Sequence, residues 1–240
     1  MNSFCLKDDA NLKGYWKLEG NANDETGNYN GTATNLTYGL SYGKFGQGLI
    51  TTANPSGMSI NKALTGTIGT GDFGITFWFN PKAPPANHYP ALFSSFQNSE
   101  PNFVGPTIFF DPLNVSGKGN GILFRTTKAN ETHFITSPSA SSLYNIWTNI
   151  VFTRLSGTCY VYYNGVEKTN WVDSVNIPTS DYVYFCGRST LDIQSFSGGS
   201  NTGKMDDVAY LNRGLTATEA QAIYSCGMFS TQRGLLTFAW

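Results

Sequence analysis

Trp171 stands in the run Lys168-Thr169-Asn170-Trp171-Val172-Asp173, with an amide and a carboxylate within two residues of the indole. An aromatic face stacks on the C–H bonds of a sugar, and flanking amides or carboxylates take its hydroxyls. Trp171 and Asp173 are therefore candidate glycan ligands. Tyr89, in the loop Pro84-Pro85-Ala86-Asn87-His88-Tyr89-Pro90, is a third. The alternative for Trp171 is a core or edge position in a strand. Hydrolysis is poorly served. A retaining glycosidase needs two carboxylates about 5–5.5 Å apart across the scissile bond. An E-x-D-x-E or E-x-D-x-x-E strand would supply them, and neither occurs. The glutamates are scattered at Glu19, Glu25, Glu100, Glu131, Glu167 and Glu219. In the adjacent pairs Asp8-Asp9 and Asp206-Asp207, neighbouring strand residues point to opposite faces. The two histidines, His88 and His133, belong to no nucleophile or metal motif, and neither a phosphate loop nor a G-x-G-x-x-G after a strand occurs. No enzyme activity is expected.

The residues that must position these groups read as strands. Short β-prone runs bounded by Gly, Pro, Asn or Asp recur along the chain. They are Tyr15–Leu18, Gly48–Thr52, Gly57–Ile60, Phe73–Phe79, Ala91–Phe96, Thr107–Phe110, Ile122–Thr126, Thr132–Thr136, Trp147–Arg154, Thr158–Tyr163, Tyr182–Cys186 and Met205–Leu211. Asn164-Gly165, between Tyr160–Tyr163 and Val166–Lys168, is the strongest hairpin turn, because an Asn-Gly pair accepts positive φ. A dozen strands at this spacing predict an all-β fold, two antiparallel sheets packed as a sandwich. One helix interrupts the pattern: Thr216-Ala217-Thr218-Glu219 is a capping box, followed by Ala220, Ile223 and Tyr224 on one stripe.

Composition narrows the function. The 240 residues carry 15 Lys+Arg against 16 Asp+Glu, a net charge of −1. So weak a basic content argues against nucleic acid and against a membrane surface. No apolar run approaches the ~20 residues of a membrane helix. The 35 aromatic residues (5 Trp, 13 Tyr, 17 Phe) argue against disorder. The first residues have no basic or apolar region of a signal peptide. Cys5, Cys159, Cys186 and Cys226 show no metal spacing. They read as free thiols, with a Cys5–Cys226 bridge as the alternative. Sequons at Asn35, Asn114 and Asn130 fit chance in a chain rich in Asn, Ser and Thr.

Five segments in order resemble the laminin-G-like, concanavalin A-like lectin-glucanase jelly-roll family. These are Gly14-Tyr15-Trp16-Lys17-Leu18-Glu19-Gly20 with its loop to Gly27, and Gly43-Lys44-Phe45-Gly46-Gln47-Gly48-Leu49. Then come Phe73–Phe79, Ile146–Phe152 with Tyr160–Gly165, and Gly203–Leu215 with Thr216–Tyr224. The resemblance implies a jelly-roll body over 14–227, an N-terminal arm over 1–13 and an apolar tail over 228–240. It places Trp16, Trp78 and Trp147 in the core. It also implies that the first strand pairs with the last, so that Asn23 and Asp24 approach Asp206 and Asp207. Some relatives bind calcium there, and such a corner offers carboxylates, an amide and loop carbonyls to a hard cation. The alternative is that Asp24 makes a turn with nearby N–H groups.

Leu235, Leu236, Phe238 and Trp240 in the tail are candidate partner-binding residues, since an uncovered apolar strand invites association. One module filling the chain, with short extra segments at both ends, suggests a non-catalytic surface protein. A virion (phage) decoration or fibre component is the main reading, with glycans, capsid proteins or copies of itself as partners. Its location would be the virion surface or extracellular space. The alternative is a freestanding carbohydrate-binding module or a domain of a secreted adhesin.

Overall fold

The computed structural model describes residues 6–51, 56–60, 64–66, 68–83, 90–96, 104–114, 116–117, 120–126, 132–135, 139–180, 182–186 and 203–226. Fifteen strands are formed within them: β1 (Leu12–Trp16), β2 (Thr32–Thr34), β3 (Leu36–Gly39), β4 (Gly48–Thr51), β5 (Gly57–Ile60), β6 (Phe73–Pro81), β7 (Ala91–Phe96), β8 (Thr107–Asp111), β9 (Gly121–Arg125), β10 (Thr132–Ile135), β11 (Thr148–Leu155), β12 (Thr158–Tyr163), β13 (Val166–Val172), β14 (Tyr182–Phe185) and β15 (Gly203–Leu211). One helix, α1 (Ala217–Cys226), follows the last strand. The strands make two antiparallel sheets. The first has the order β13-β12-β11-β6-β15-β4-β3, with β1 added beside the second half of β15. The second has the order β10-β9-β8-β7-β14-β5-β2.

Alternation builds the core. On β6, Phe73, Ile75, Phe77 and Phe79 point into the space between the sheets, where Phe110, Phe124, Phe152, Val183 and Phe185 meet them. Burying one such side chain contributes about 1.5–3 kcal/mol. The opposite side of the first sheet buries a second cluster, Leu6, Tyr15, Val151, Tyr162, Ala209 and Leu211, beneath Leu215 and the helix residues Ala220 and Ile223. A third, small cluster of Ala91, Phe109 and Leu123 lies on the far side of the second sheet.

Local chemistry fixes the ends. The capping box forms: Thr216 N–H donates to Glu219 Oε2 at 2.8 Å, and Glu219 N–H donates to Thr216 Oγ1 at 3.3 Å. Arg213 adds a clamp, donating to Glu219 Oε1 at 2.7 Å and, through Nε, to Asp9 Oδ2 at 2.7 Å. Partial burial raises the Asp9 carboxyl, but the hydrogen bonds and charge of Arg213, with Asn11, hold it below its usual value. Residues 6–13, expected as an arm, are thus laid onto the body, with Leu6 wholly buried. The turn Asn164-Gly165 takes φ of 52° and 75°, as a two-residue hairpin requires. A Cβ on Gly165 would sit 2.8 Å from Gln221 Cα, so the helix rests directly on this turn.

Several expectations shift. β2 and β3 were not expected from the sequence pattern. Trp78 is buried, yet on the outer side of the first sheet, where Phe45 meets it edge-on at 5.5 Å and Tyr224 lies 5.9 Å away. Its position on β6 alternates with the inward phenylalanines, which decides the side. Trp147 is only half-buried, while Trp16 is fully buried in the main core. Cys159 and Cys186 are free and buried; Cys5 lies outside the described residues. Among the described residues no helix is long and apolar enough to cross a membrane.

Candidate functional site

The first and last strands lie side by side, with Tyr15 opposite Ala209 and Trp16 opposite Val208. The acids meet at this corner, but through Tyr15. Asp24 is buried and turned into its own loop. Its Oδ1 accepts the N–H of Tyr15 at 2.8 Å and of Thr26 at 3.0 Å. Its Oδ2 accepts the Thr26 hydroxyl and the N–H groups of Asn28 and Tyr29, at 3.1 and 2.9 Å. The Tyr15 hydroxyl donates to Asp207 Oδ1. Asp207 takes a left-handed φ of 48° at a bulge in β15. Asp206 Oδ2 accepts the N–H of Lys44 at 2.7 Å and of Phe45 at 2.8 Å, and its Oδ1 accepts the Asp207 N–H at 2.8 Å. Burial and the charge of Asp207 push Asp206 up to about 8, against the pull of those three donors. Burial and the same two aspartates drive the Tyr15 hydroxyl far above its usual value.

Both carboxylate oxygens of Asp24 and Asp206, and Oδ1 of Asp207, are therefore engaged by the protein's own N–H and O–H groups. Asn23 points to solvent. Among the described residues no three His, Cys, Asp or Glu side chains gather as a metal cluster. A calcium ion here would have to displace hydrogen bonds that already hold the two chain segments together.

The hairpin ligands also turn inward. Trp171 is 9% exposed and stacks on Phe152 at 5.9 Å in the main core. Its ring face is occupied, which corrects the expectation that it meets a sugar. Asp173 is buried against Arg154, whose Nη1 lies 3.2 Å from Asp173 Oδ1. Its Oδ2 accepts the Thr126 hydroxyl at 2.6 Å. Arg154 donates further to the carbonyls of Gly69, Gly71 and Val175 at 2.7–2.9 Å, pinning two segments to β11 at one end of the sandwich. Asp173 is thus a structural partner and not a surface ligand. Tyr89, Leu235, Leu236, Phe238 and Trp240 lie outside the described residues.

The sandwich has four sheet faces. Two form the core, and the helix with Leu6 and Leu12 covers part of the outer side of the first sheet, leaving Glu167, Asn170 and Val172 of β13 exposed there. On the outer side of the second sheet, Ala91, Ser94, Phe109 and Leu123 are buried over β7–β9, while Tyr182, Tyr184, Ser59 and Thr32 of β14, β5 and β2 are half-buried or exposed. There β14 presents Tyr182 and Tyr184, rings 6.5 Å apart, while Val183 and Phe185 face the core. Tyr184 packs on the Ala91, Phe109 and Leu123 cluster. Ser59 is its cross-strand neighbour, and Thr32 is opposite Ser59, giving a row Thr32–Ser59–Tyr184 across β2, β5 and β14. All three are exposed or half-buried. Arg125 lies over the Phe109 ring at 4.8 Å on the same side. Tyrosine faces beside a line of hydroxyls suit a hydroxylated ligand. Sequence reasoning named this strand but not its tyrosines; the signal was the alternation Tyr-Val-Tyr-Phe.

Residues 53–221 match the family model described as the concanavalin A-like lectin/glucanases superfamily, and the chain belongs to that superfamily. No curated protein matches the sequence. The fold is similar to domain 4 of AbnA, a GH43 extracellular arabinanase from Geobacillus stearothermophilus solved with arabinotriose. That match has 18% identity and a TM-score of 0.67, covering 90% of this chain and 100% of that one. It is similar to Trypanosoma rangeli sialidase, with 14% identity and a TM-score of 0.66, over 91% of this chain and 33% of that one. It is also similar to the receptor-binding domain of botulinum neurotoxin type G, with 19% identity and a TM-score of 0.61, over 90% and 51%. These are carbohydrate-processing or receptor-binding proteins, and none is a virion component, so they lend the decoration reading no support.

Proposed function

We propose that this member of the concanavalin A-like lectin/glucanases superfamily is a non-catalytic glycan-binding domain, and that the outer face of its second sheet holds the sugar. The observation that carries the reading is the tyrosine pair Tyr182–Tyr184 beside the Thr32–Ser59 hydroxyl row, half-buried or exposed on the outer side of the second sheet. Neighbouring strands lie about 4.8 Å apart, so the row spans about 10 Å, room for a short stretch of glycan. The arabinotriose on the arabinanase domain supports a sugar ligand by analogy. Of the buried carboxylates, Asp173 is paired with Arg154, and Asp24 and Asp206 accept backbone N–H groups.

Titration calorimetry with a panel of neutral oligosaccharides, arabinotriose included, tests this. Saturable binding that Tyr184→Ala weakens about tenfold is expected, since an aromatic stacking contact is worth up to about 1.5 kcal/mol. Binding that ignores both Tyr184→Ala and Tyr182→Ala would refute the assignment of this face.

A further inference from the structure

The hairpin of β12 and β13 carries a second set of groups with sugar-binding chemistry, on the side away from the core. Trp171 faces inward, so Asn170 and Val172 face outward; Val172 is 80% exposed. Asn170 lies opposite Tyr160, and Glu167 lies opposite Tyr162. A bulge in the register between Val161 and Tyr162 makes this possible, with Lys168 as the extra residue. Tyr160 is half-buried at the border of the cluster beneath the helix, where its ring stacks on the buried Tyr162 at 6.3 Å and 20°. Asn170 Nδ2 donates to Glu167 Oε1 at 2.6 Å. That bond sets an exposed amide and an exposed carboxylate side by side, next to an aromatic face.

We propose that Tyr160, Asn170 and Glu167 form a second glycan subsite, on the opposite side of the sandwich from the first, making the domain bivalent. The inference rests on the sugar-binding reading of the preceding section but on different residues. An amide with a carboxylate supplies the donor and acceptors that neighbouring hydroxyls of one ring require. The Glu167 charge repels acidic sugars, so the occupant is a neutral glycan. The pairs Tyr160–Asn170 and Tyr162–Glu167 are two residues apart on paired strands. Their footprint is therefore about 5 by 7 Å, enough for one or two rings. Two sites facing opposite directions would let one molecule join two polysaccharide chains, and avidity would then exceed either affinity.

Calorimetry on the full chain with the same neutral oligosaccharides separates the sites. The expected stoichiometry is two. Tyr160→Ala and, independently, the surface change Asn170→Ala should each reduce it to one or weaken one site about tenfold. Tyr184→Ala should remove the other. Circular dichroism of Asn170→Ala guards against simple misfolding, because its side chain packs in neither cluster. If Tyr184→Ala abolishes all binding while Tyr160→Ala and Asn170→Ala change nothing, the hairpin subsite is wrong and the second-sheet reading stands. If the hairpin variants abolish all binding, the second-sheet reading is wrong and the hairpin stands alone, without bivalency. A chain that binds none of the sugars overturns both.

Discussion

Replacing Asp206 by Asn should change how stability depends on pH. Asp206 is fully buried on β15 and adjoins Asp207, and these two facts push it up to about 8. In the unfolded chain it would titrate near 4. Between these values the folded protein binds a proton that the unfolded chain has released. Stability from this group is therefore complete below about pH 4 and is lost as pH rises through about 8. The slope at its steepest is about 1 kcal/mol per pH unit, so about 2 kcal/mol should disappear between pH 5 and pH 7. Asp9 and Glu219 act in the other direction and elsewhere. Burial raises each, but Arg213 holds both below their usual values. Their contribution is present above about pH 4 and is lost on acidification, outside the window of Asp206. Urea unfolding followed by tryptophan fluorescence at pH 5, 6, 7 and 8 reads the effect. The wild-type midpoint should fall steadily, while that of Asp206→Asn stays nearly level. A wild-type midpoint that is flat or rises would refute the reasoning. It would mean that the N–H groups of Lys44, Phe45 and Asp207 hold Asp206 ionised despite its burial.

Three other substitutions test separate parts of the frame. Asp24→Ala strips the acceptor from the N–H groups of Tyr15, Thr26, Asn28 and Tyr29 and should cost about 3 kcal/mol or more, read as a fall in melting temperature. Arg154→Met leaves the Asp173 carboxylate buried without its cation and should cost about 3–5 kcal/mol in chemical denaturation. Trp171→Ala should cost about 3–5 kcal/mol of stability yet leave sugar affinity of the folded protein unchanged. Loss of affinity at full stability would return Trp171 to the binding surface.

Most elements were legible because hydrophobic alternation and turn residues are local; β2 and β3, three and four residues long, offer too few positions for alternation to show. Phe73–Phe79 reads as a strand by itself, and Asn164-Gly165 reads as a turn by itself. The side on which a residue ends up is less local. Strict alternation along β13 would put Glu167, Thr169 and Trp171 on one face. The bulge at Lys168 breaks that count, sending Glu167 outward with Asn170 while Trp171 stays inward. No residue type in the segment announces the bulge. Asp173 is similar: its partners, Arg154 and Thr126, come from β11 and the end of β9, which the sequence does not bring together. The capping box was visible in four consecutive positions, but Arg213, which ties it to Asp9 across the chain, was not.

Four acids serve the closure of the sandwich, and that bears on where function can change. Asp24, Asp206, Asp9 and Glu219 all fasten one side, where β1, β15 and α1 meet. Substitutions there alter the register of the opening strand on the closing strand and so act on the whole fold. Tyr182, Ser59 and Thr32 on the second sheet, and Asn170 and Glu167 on the hairpin, are absent from all three apolar clusters. A change of residue type at those positions exchanges one half-exposed or exposed contact for another, within about 0.5 kcal/mol of stability. Ligand preference can therefore drift at these positions while the corner of aspartates stays fixed. Random mutagenesis selected only for folding should show that contrast, with Asp24 and Asp206 intolerant and Ser59 and Asn170 freely replaced. Equal intolerance at both sets would mean that the two surfaces are part of the frame and not laid upon it.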